Sequence, residues 1–193
     1  MRSLELSDAT ERFVSWLADP GVMKPLNKPT SQLTVQQLEA IIRAVDGIKN
    51  FQIGIFERRS KAHVGNFYAS IDDIHQTATI DVMIGDTGYW GSKVVNECRA
   101  ALLDHFFRVR GVEKVIGRPL VRNFPSVFNY KTQGWHLEGI LKEQWRSFYG
   151  EGRLDQYQFC MLKDEWRSRR QADQAKAKPK KGDRKKAAAR RRS

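Results

Sequence analysis

Long runs of apolar residues are missing from the sequence. None approaches the roughly 20 consecutive apolar residues that a transmembrane helix needs. The first residues, MRSLELSDATERF, also lack the apolar stretch of about 7–15 residues that marks a secretory signal. These absences argue against a membrane-spanning or secreted protein, and we expect a cytoplasmic protein with no membrane span.

Cysteine is scarce as well. The chain has 2 cysteines, Cys98 and Cys160, with no Cys-x-x-Cys pair and no Cys/His spacing of a zinc site. Both lie in segments with an apolar pattern, which favours buried thiols over a disulfide. We therefore expect no metal site.

Acidic residues are fewer than basic ones, but the imbalance is confined to the C-terminus. Residues 167–193 contain 13 lysines and arginines against 2 aspartates, and they carry +11 of the net charge of +12. Because this segment has almost no apolar side chain larger than alanine, it cannot bury enough surface to offset its ordering entropy. We expect one folded domain over residues 1–166 and a tail over 167–193 that is disordered or a fraying helix. The tail could bind RNA, ribosomes or anionic lipid, or could act only as a solubility tail.

Hydrophobic periodicity predicts the order of the elements. Capping-box spacing at Asp8-Ala-Thr-Glu11 and at Thr34-Val-Gln-Gln37 precedes two amphipathic helices, which follow a short N-terminal strand. Three strand-like segments then predict an antiparallel meander over residues 51–56, 63–71 and 77–84. A helix, a strand at 112–116, a short helix at 123–131 and a hairpin of 135–148 with 154–162 complete the chain. The predicted fold class is α+β, in the order β–α–α–β–β–β–α–β–α–β–β.

A glycine-rich turn lies between the third meander strand and the next helix. The stretch IGDTGYWGSKVVNECRAALLDHFF, residues 84–107, holds Gly85, Gly88 and Gly91 before an apolar helical stripe of Val94, Cys98, Ala101 or Leu102, Phe106 and Val109. A helix start presents unpaired backbone N–H groups and the positive end of the helix dipole, and glycines let a phosphate approach the backbone closely. Residues 88–93 therefore fit either a diphosphate cradle or a simple strand-to-helix turn.

Three segments carry a resemblance to a known family: GDTGYWGSKVVNE, RNFPSVFNYKTQGW and LDQYQFCMLKDEW. The first resembles the acetyl-CoA pyrophosphate loop of the GCN5-related N-acetyltransferases, the GNAT superfamily. The second resembles the family's Asn-x-x-Ser-x-x-x-Tyr-x-x-x-Gly-aromatic segment, and the third the last strand of the ribosomal-protein alanine acetyltransferase branch. The resemblance covers residues 1–166 and implies the GNAT fold, a mostly antiparallel mixed sheet flanked by helices, and an acetyl-CoA-dependent N-acetyltransferase.

The resemblance also implies the site residues. Tyr130 resembles the general acid that protonates the departing thiolate, and Ser126 lies on the same helical face at i,i+4 spacing. Asn123 could contact the cofactor or serve as a helix N-cap. The residues implied to bind acetyl-CoA are Met83, Ile84, Tyr89, Trp90, Gly91, Ser92, Lys93, Val94 and Asn123.

The acceptor amine and the general base stay open at this point. The resemblance places the acceptor groove between residues 24–31 and 143–153, and a protein N-terminus, an amino sugar or a small amine each fit its mixture of aromatic and basic groups. Positive groups there disfavour a polycation, and the branch favours a protein α-amine. No base is identified, and a monomer or a homodimer is expected. The groove side chains are Trp145, Arg146, Phe148, Tyr149 and Arg153, and the carboxylates considered are Asp72, Asp73 and Glu138.

The glycine loop departs from the family pattern. Lys93 and Val95 stand where the family usually has small residues; Lys93 could donate to a phosphate, whereas Val95 would crowd the first helical turn. A second hypothesis is therefore a catalytically decayed GNAT-like domain that binds RNA or ribosomes through its basic tail. The enzyme is favoured, because the Asn, Ser and Tyr of the second segment are retained and the core has no basic-aromatic platform for single strands.

Overall fold

The computed structural model describes residues 1–177, with side chains up to residue 172. Within this range the chain forms seven strands and six α-helices. Their bounds are β1 Arg2–Ser3, α1 Glu11–Ala18, α2 Pro20–Met23, α3 Val35–Arg43, β2 Asn50–Phe56, β3 His63–Asp72, β4 Thr77–Ile84, α4 Val94–Arg108, β5 Lys114–Gly117, α5 Phe124–Thr132, β6 His136–Arg146, β7 Arg153–Leu162 and α6 Lys163–Ala177.

The predicted order of strands and helices is confirmed, with two additions. The four-residue α2 follows α1 directly, and α6 follows β7. Residues Met1–Met161 form one compact unit, and α6 belongs to a second unit that begins at Leu162. Helix α6 includes the first residues of the predicted tail, through Ala177, and residues 178–193 lie outside the described residues.

One of the two predicted capping boxes is confirmed and the other is wrong. The Thr34 hydroxyl accepts the Gln37 N–H at 3.2 Å, and the Gln37 side chain accepts the Thr34 N–H at 2.8 Å. Helix α1, however, is capped by Thr10, whose hydroxyl accepts the N–H of Phe13 at 3.3 Å. Asp8 does not cap α1 because its carboxylate binds the Arg2 guanidinium through two hydrogen bonds of 2.6 and 2.7 Å.

The strands form one sheet in the order β1-β2-β3-β4-β5-β7-β6. Strands β1 to β4 pair antiparallel in sequence, and β6 pairs antiparallel with β7. Strands β4 and β5 pair parallel, as expected when a helix, here α4, carries the chain back across the sheet. This mixed, mostly antiparallel sheet confirms the predicted fold class.

The sheet divides between β4 and β5. Their pairing ends at Ile80 and Gly117, whereas β4 stays paired with β3 as far as Ile84. After β5 the chain turns toward β7, where the Tyr157 N–H donates to the Pro119 carbonyl at 3.0 Å. A gap therefore opens between residues 81–84 and residues 118–121, in the middle of the sheet.

One part of the core lies on the β4 side of this gap. Helices α1 to α3 bury Phe13, Trp16 and Leu38 against Met83 of β4. Gly85 follows β4 directly, and a Cβ at this position would collide with the Trp16 indole. The end of β4 is thus packed tightly beneath α1, which fixes the start of the glycine loop.

Within residues 1–177, no helix is both long and apolar enough to cross a membrane. Residues 1–172 also contain no group of three or more His, Cys, Asp or Glu side chains placed to hold a metal ion. Both cysteines are thiols, with Cys160 buried and Cys98 half-buried.

Candidate active site

A cavity of about 250 Å³ lies where β4 and β5 part. One wall is β4 with Asp81 and Met83, and the facing wall is the segment after β5 with Arg118. Helices α1 to α3 contribute mainly apolar side chains to the lining, and α5 contributes Ser126 and Tyr130. An apolar cavity with a few convergent polar groups has the usual composition of a small-molecule site.

Tyr130 is fixed by aromatic packing at the point where the strands diverge. Its side chain is 3% exposed, and its ring stacks parallel to Phe159 at 5.1 Å and meets the edge of Trp135 at 4.9 Å. A Cβ at Gly117 would collide with the Tyr130 Oη, so a glycine is needed there for the phenol to approach β5. Burial raises the pKa of Tyr130, which keeps its proton on Oη at neutral pH.

The other two residues of the predicted α5 motif have different roles. The Asn123 side chain caps α5 by accepting the Ser126 N–H at 3.2 Å, which confirms the N-cap interpretation. Its amide also donates to the Pro25 carbonyl at 3.0 Å, and so ties α5 to the segment after α2. The Ser126 side chain lines the cavity one helical turn before Tyr130.

The glycine loop is held by hydrogen bonds of its own side chains. The Trp90 indole N–H donates to the Ile84 carbonyl at 2.9 Å, and the Ser92 hydroxyl donates to the Tyr89 carbonyl at 2.6 Å. Gly91 has φ +70°, in the left-handed region that favours glycine, and nothing lies within 4 Å of the place where its Cβ would be. The loop backbone is thus rigidly shaped and open to solvent at Gly91.

Helix α4 begins without a side-chain cap. Lys93 is the N-cap residue and makes no side-chain hydrogen bond to the first turn. Lys93 itself is exposed, whereas Val95 is buried, so the branched side chain of Val95 lies in the protein interior and away from the open loop. The Val94 N–H donates to the Ser92 hydroxyl at 3.4 Å, and the N–H groups that follow it in the first turn have no side-chain cap and are left for an anion.

The structure divides the predicted site residues into two groups. Met83, Asn123, Ser126 and Tyr130 line the cavity together. The remaining residues run from the last residue of β4 through the loop to the first residue of α4: Ile84, Tyr89, Trp90, Gly91, Ser92, Lys93 and Val94.

Asp81 is a cavity residue that sequence reasoning missed. It lies on β4 directly opposite Tyr68 of β3, and by the two-residue period of a strand it shares a face with Met83. Asp81 is exposed to solvent in the open cavity, and partial desolvation by the cavity walls raises the pKa of its carboxyl, although Lys28 and Arg118 act in the opposite direction. The available signal was a lone carboxylate inside the apolar strand TATIDVMI.

The carboxylates considered from the sequence lie elsewhere. Asp72 sits at the β3–β4 turn and accepts the N–H groups of Ile74 and His75, each at 3.0 Å. Glu138 pairs with Lys114 on the strands at the far side of the gap, with a 2.5 Å contact. None of the three carboxylates, Asp72, Asp73 and Glu138, lines the cavity.

Among the predicted acceptor-groove side chains, Trp145 lines the cavity. The Tyr149 hydroxyl donates to the Lys28 carbonyl at 2.8 Å and so supports the segment after α2. Arg153 is occupied within the β6–β7 hairpin, where its guanidinium donates to the Glu143 carbonyl at 2.5 Å. The remaining two, Arg146 and Phe148, are exposed and do not line the cavity.

Residues 1–135 match the family model described as the acetyltransferase (GNAT) domain. The chain belongs to the GNAT acetyltransferase family. It is thus an N-acetyltransferase that uses acetyl-CoA as the acetyl donor, as the sequence predicted. Val95, on which the hypothesis of a catalytically decayed domain partly rested, has a buried side chain.

Solved structures agree with this assignment at the level of the fold. The chain is similar to the spermidine N-acetyltransferase from Vibrio cholerae in complex with CoA and spermine, with a TM-score of 0.75 and 18% identity over 86% of this chain and 95% of that one. It is also similar to a GNAT-family acetyltransferase from Bacillus anthracis, with a TM-score of 0.71 and 21% identity over 85% of this chain and 94% of that one. No curated protein sequence matches the chain.

Proposed function

We propose that this GNAT enzyme acetylates a primary amine held at Asp81, and that Tyr130 protonates the departing thiolate of coenzyme A. The observation that carries this proposal is the position of the two side chains in the cavity where β4 and β5 part. The reaction requires a proton donor for the thiolate and a proton acceptor for the amine. The phenol of Tyr130 can be the donor, and the carboxylate of Asp81 can be the acceptor.

The chain offers two surfaces that fit acetyl-CoA. Beyond Ile80, residues 81–84 have no strand partner on the β5 side, and backbone N–H and C=O groups of this kind need hydrogen-bond partners such as the amides of pantetheine. The open loop at Gly91 and the uncapped start of α4 suit the diphosphate, with the exposed Lys93 beside them. When bound there, acetyl-CoA supplies the thioester whose acetyl carbon the amine attacks.

Tyr130 can act as the acid because its proton stays on Oη until it is needed. Burial raises the pKa of the phenol, so the hydroxyl is protonated at the pH at which the enzyme works. Phe159 stacks on the ring and Trp135 packs nearly perpendicular to it, and these contacts limit its rotation. Proton transfer from Oη to sulfur therefore starts from a fixed donor.

Asp81 can bind the acceptor amine and accept its proton. An acceptor amine arrives as an ammonium ion, which a carboxylate binds and which must lose a proton before it can attack. Because desolvation by the cavity walls raises the pKa of Asp81, its carboxylate is a better proton acceptor than an aspartate on the open surface. We assign Asp81 the role of holding the amine and taking its proton, directly or through water.

The charges of the cavity favour an amine that carries an anionic group. Among the residues that line it, Asp81 is the one carboxylate, while Lys28 and Arg118 are cations. A polyamine such as spermidine would place further positive charges beside those cations, which is unfavourable. A carboxylate or phosphate near the acceptor amine would instead pair with them.

Three expectations from the sequence stay predictions: acetylation of a protein N-terminus, contact of the tail with RNA or ribosomes, and the monomer or homodimer state.

The acceptor preference can be measured with matched amines. We expect glucosamine 6-phosphate to be acetylated with a kcat/KM roughly 10- to 100-fold above that of glucosamine, the range expected for one charged hydrogen bond. Replacing Arg118 by glutamine should shrink this ratio toward one, while the rate with glucosamine changes little. Spermidine as the best substrate, with no effect of Arg118→Gln, would contradict the proposed acceptor class.

The cofactor surface can be tested at Gly91 with Gly111 as its matched control. Both glycines have a positive φ, +70° and +68°, and both have open space where a Cβ would be, so Gly→Ala should cost similar stability at each. Only Gly91 lies in the loop before α4, and Gly91→Ala should weaken acetyl-CoA binding in calorimetry by roughly tenfold or more because its Cβ obstructs the diphosphate. Equal affinity of the two variants would show that the diphosphate does not lie on this loop.

A further inference from the structure

Arg99 is a buried arginine without a carboxylate partner among the described residues. Its side chain on α4 is 0% exposed. Nη1 donates to the Gln133 side chain at 2.9 Å, whereas Nε and Nη2 have no hydrogen-bond partner in the described part of the chain. An arginine stays charged in proteins, and removing that charge from water costs several kcal/mol unless it is compensated. A methionine or leucine would fill the same space without this desolvation cost, so packing alone does not explain an arginine here.

The compensation comes from the aromatic group of the active site. The Arg99 guanidinium carbon lies over the Tyr130 ring, 4.1 Å from its centroid, and 5.7 Å from the centroid of Trp135. Both distances are within the range of a cation–π interaction, which is strongest when water is absent. The guanidinium thus lies against the ring whose hydroxyl reaches the cavity.

Gln133 holds the guanidinium in this position. Its side-chain oxygen accepts from Arg99, and its side-chain nitrogen donates to the Asn96 carbonyl at 2.7 Å. The amide is therefore oriented by α4 itself, with its acceptor oxygen toward the arginine. The geometry of the Arg99–Tyr130 pair is fixed by the packing of α4 against the end of α5.

We propose that Arg99 is a positioning residue for acetyl transfer, whose charge holds the Tyr130 ring and stabilises the phenolate formed when Tyr130 gives up its proton. This inference rests on the proposed role of Tyr130 as the acid. In the step, the Oη–H bond breaks and an S–H bond forms on the departing thiolate, while the electron pair of the broken bond stays on Oη. Solvent returns a proton to Oη after the products leave.

The charges around Tyr130 explain why the arginine is needed. In the described residues, the charged groups that act on the phenol are Arg99 from α4 and Asp81 from β4, while Phe159 and Trp135 are uncharged. Burial and Asp81 both raise the pKa of Tyr130, and Arg99 lowers it. Without the arginine, the phenolate would form in an apolar site beside a negative charge.

The test is a double-mutant cycle with Arg99→Met and Tyr130→Phe. Methionine fills a similar volume without charge, so Arg99→Met should fold and should melt no lower than the native enzyme. We expect it to lower kcat about 30-fold, the factor that corresponds to ~2 kcal/mol for a desolvated cation–π contact. KM for acetyl-CoA should change less than about twofold, because the interaction strengthens as the proton leaves.

Two further measurements separate this role from packing. In the Tyr130→Phe background, Arg99→Met should have no additional effect on kcat, because no phenolate forms there. A spectrophotometric titration of Tyr130, taken as the difference between each protein and its Tyr130→Phe counterpart, should show a higher pKa in Arg99→Met. Arg99→Lys, which keeps the charge but not the planar shape, should recover part of the loss and should remain informative if Arg99→Met does not fold.

Three outcomes would overturn the proposal: a native kcat in Arg99→Met, an equal loss of kcat with and without the Tyr130 hydroxyl, or an unchanged titration of Tyr130. A failure of the Tyr130 assignment is distinguishable from these. In that case Tyr130→Phe would keep its activity, while the titration would still report whether Arg99 acts on the phenol.

Discussion

Replacing Tyr130 by phenylalanine is expected to lower kcat by roughly 10²–10⁴-fold, the usual contribution of a positioned general acid. The substitution deletes the hydroxyl and keeps the ring, so the contacts of the ring with Phe159, Trp135 and Arg99 are retained. The dissociation constant of acetyl-CoA should stay nearly unchanged, because the proton moves only in the transition state. Initial rates at saturating substrates and calorimetry of cofactor binding measure the two quantities.

Tyr157 provides the matched control. It belongs to the same aromatic cluster, with its ring 5.9 Å from that of Phe159, but it does not line the cavity. Tyr157→Phe should keep its kcat and its acetyl-CoA affinity. If Tyr130→Phe were as active as Tyr157→Phe, Tyr130 would have a packing role alone and another donor would have to protonate the thiolate.

Much of the fold could be predicted because local signals agree with the final structure. The capping box at Thr34 and the alternating strands of the meander identified their elements to within about one residue of the observed bounds. Helix α2 was missed because four residues, Pro20–Met23, are too few to show a helical period. Asp8 was misassigned because the competing partner, Arg2, lies outside the local pattern.

The buried face of α4 could be predicted only in part. The expected stripe was right at Leu102 and Phe106, which are buried, whereas Val94 and Cys98 are half-buried and Val109 is 68% exposed. The buried positions of α4 are Val95, Arg99, Leu102, Leu103, Phe106 and Phe107. Arg99 thus occupies a buried position four residues after Val95, but a charged residue there is ordinarily assigned to the solvent face.

Some of the site residues could be predicted from one segment of the sequence, and others only from the folded structure. Tyr130, Ser126 and Asn123 lie in one segment, so their spacing was visible in the sequence. Asp81 and Arg99 become site residues only when β4 parts from β5 and α4 packs against α5. Their roles depend on contacts between distant segments, which no periodicity in the chain encodes.

Replacing Asp81 by asparagine is expected to change activity and stability in opposite directions. Because desolvation by the cavity walls raises the pKa of Asp81 in the folded protein, the folded state binds this proton more tightly than the unfolded state. The contribution of Asp81 to stability is therefore most favourable at acidic pH and is lost as the pH rises through the folded pKa. At neutral pH a charged Asp81 is less favourable in the folded state than in the unfolded state, and the uncharged asparagine removes this difference. The thermal midpoint should therefore be equal or higher, while kcat/KM falls by roughly 10²-fold or more.

Asp72 serves as a control because its pKa is shifted in the opposite direction to that of Asp81. Hydrogen bonds from the backbone N–H of His75 and then Ile74 lower the pKa of Asp72, so its contribution to stability is present above the unfolded pKa and is lost on acidification. Asp72→Asn should leave kcat unchanged and should melt no higher than the native enzyme at neutral pH.

The native kcat/KM should rise with pH as Asp81 loses its proton, and this rise should be absent in Asp81→Asn. A variant at Asp81 that keeps both its rate and its pH profile would show that the amine loses its proton elsewhere, and the carboxylate would then serve only to bind the ammonium ion.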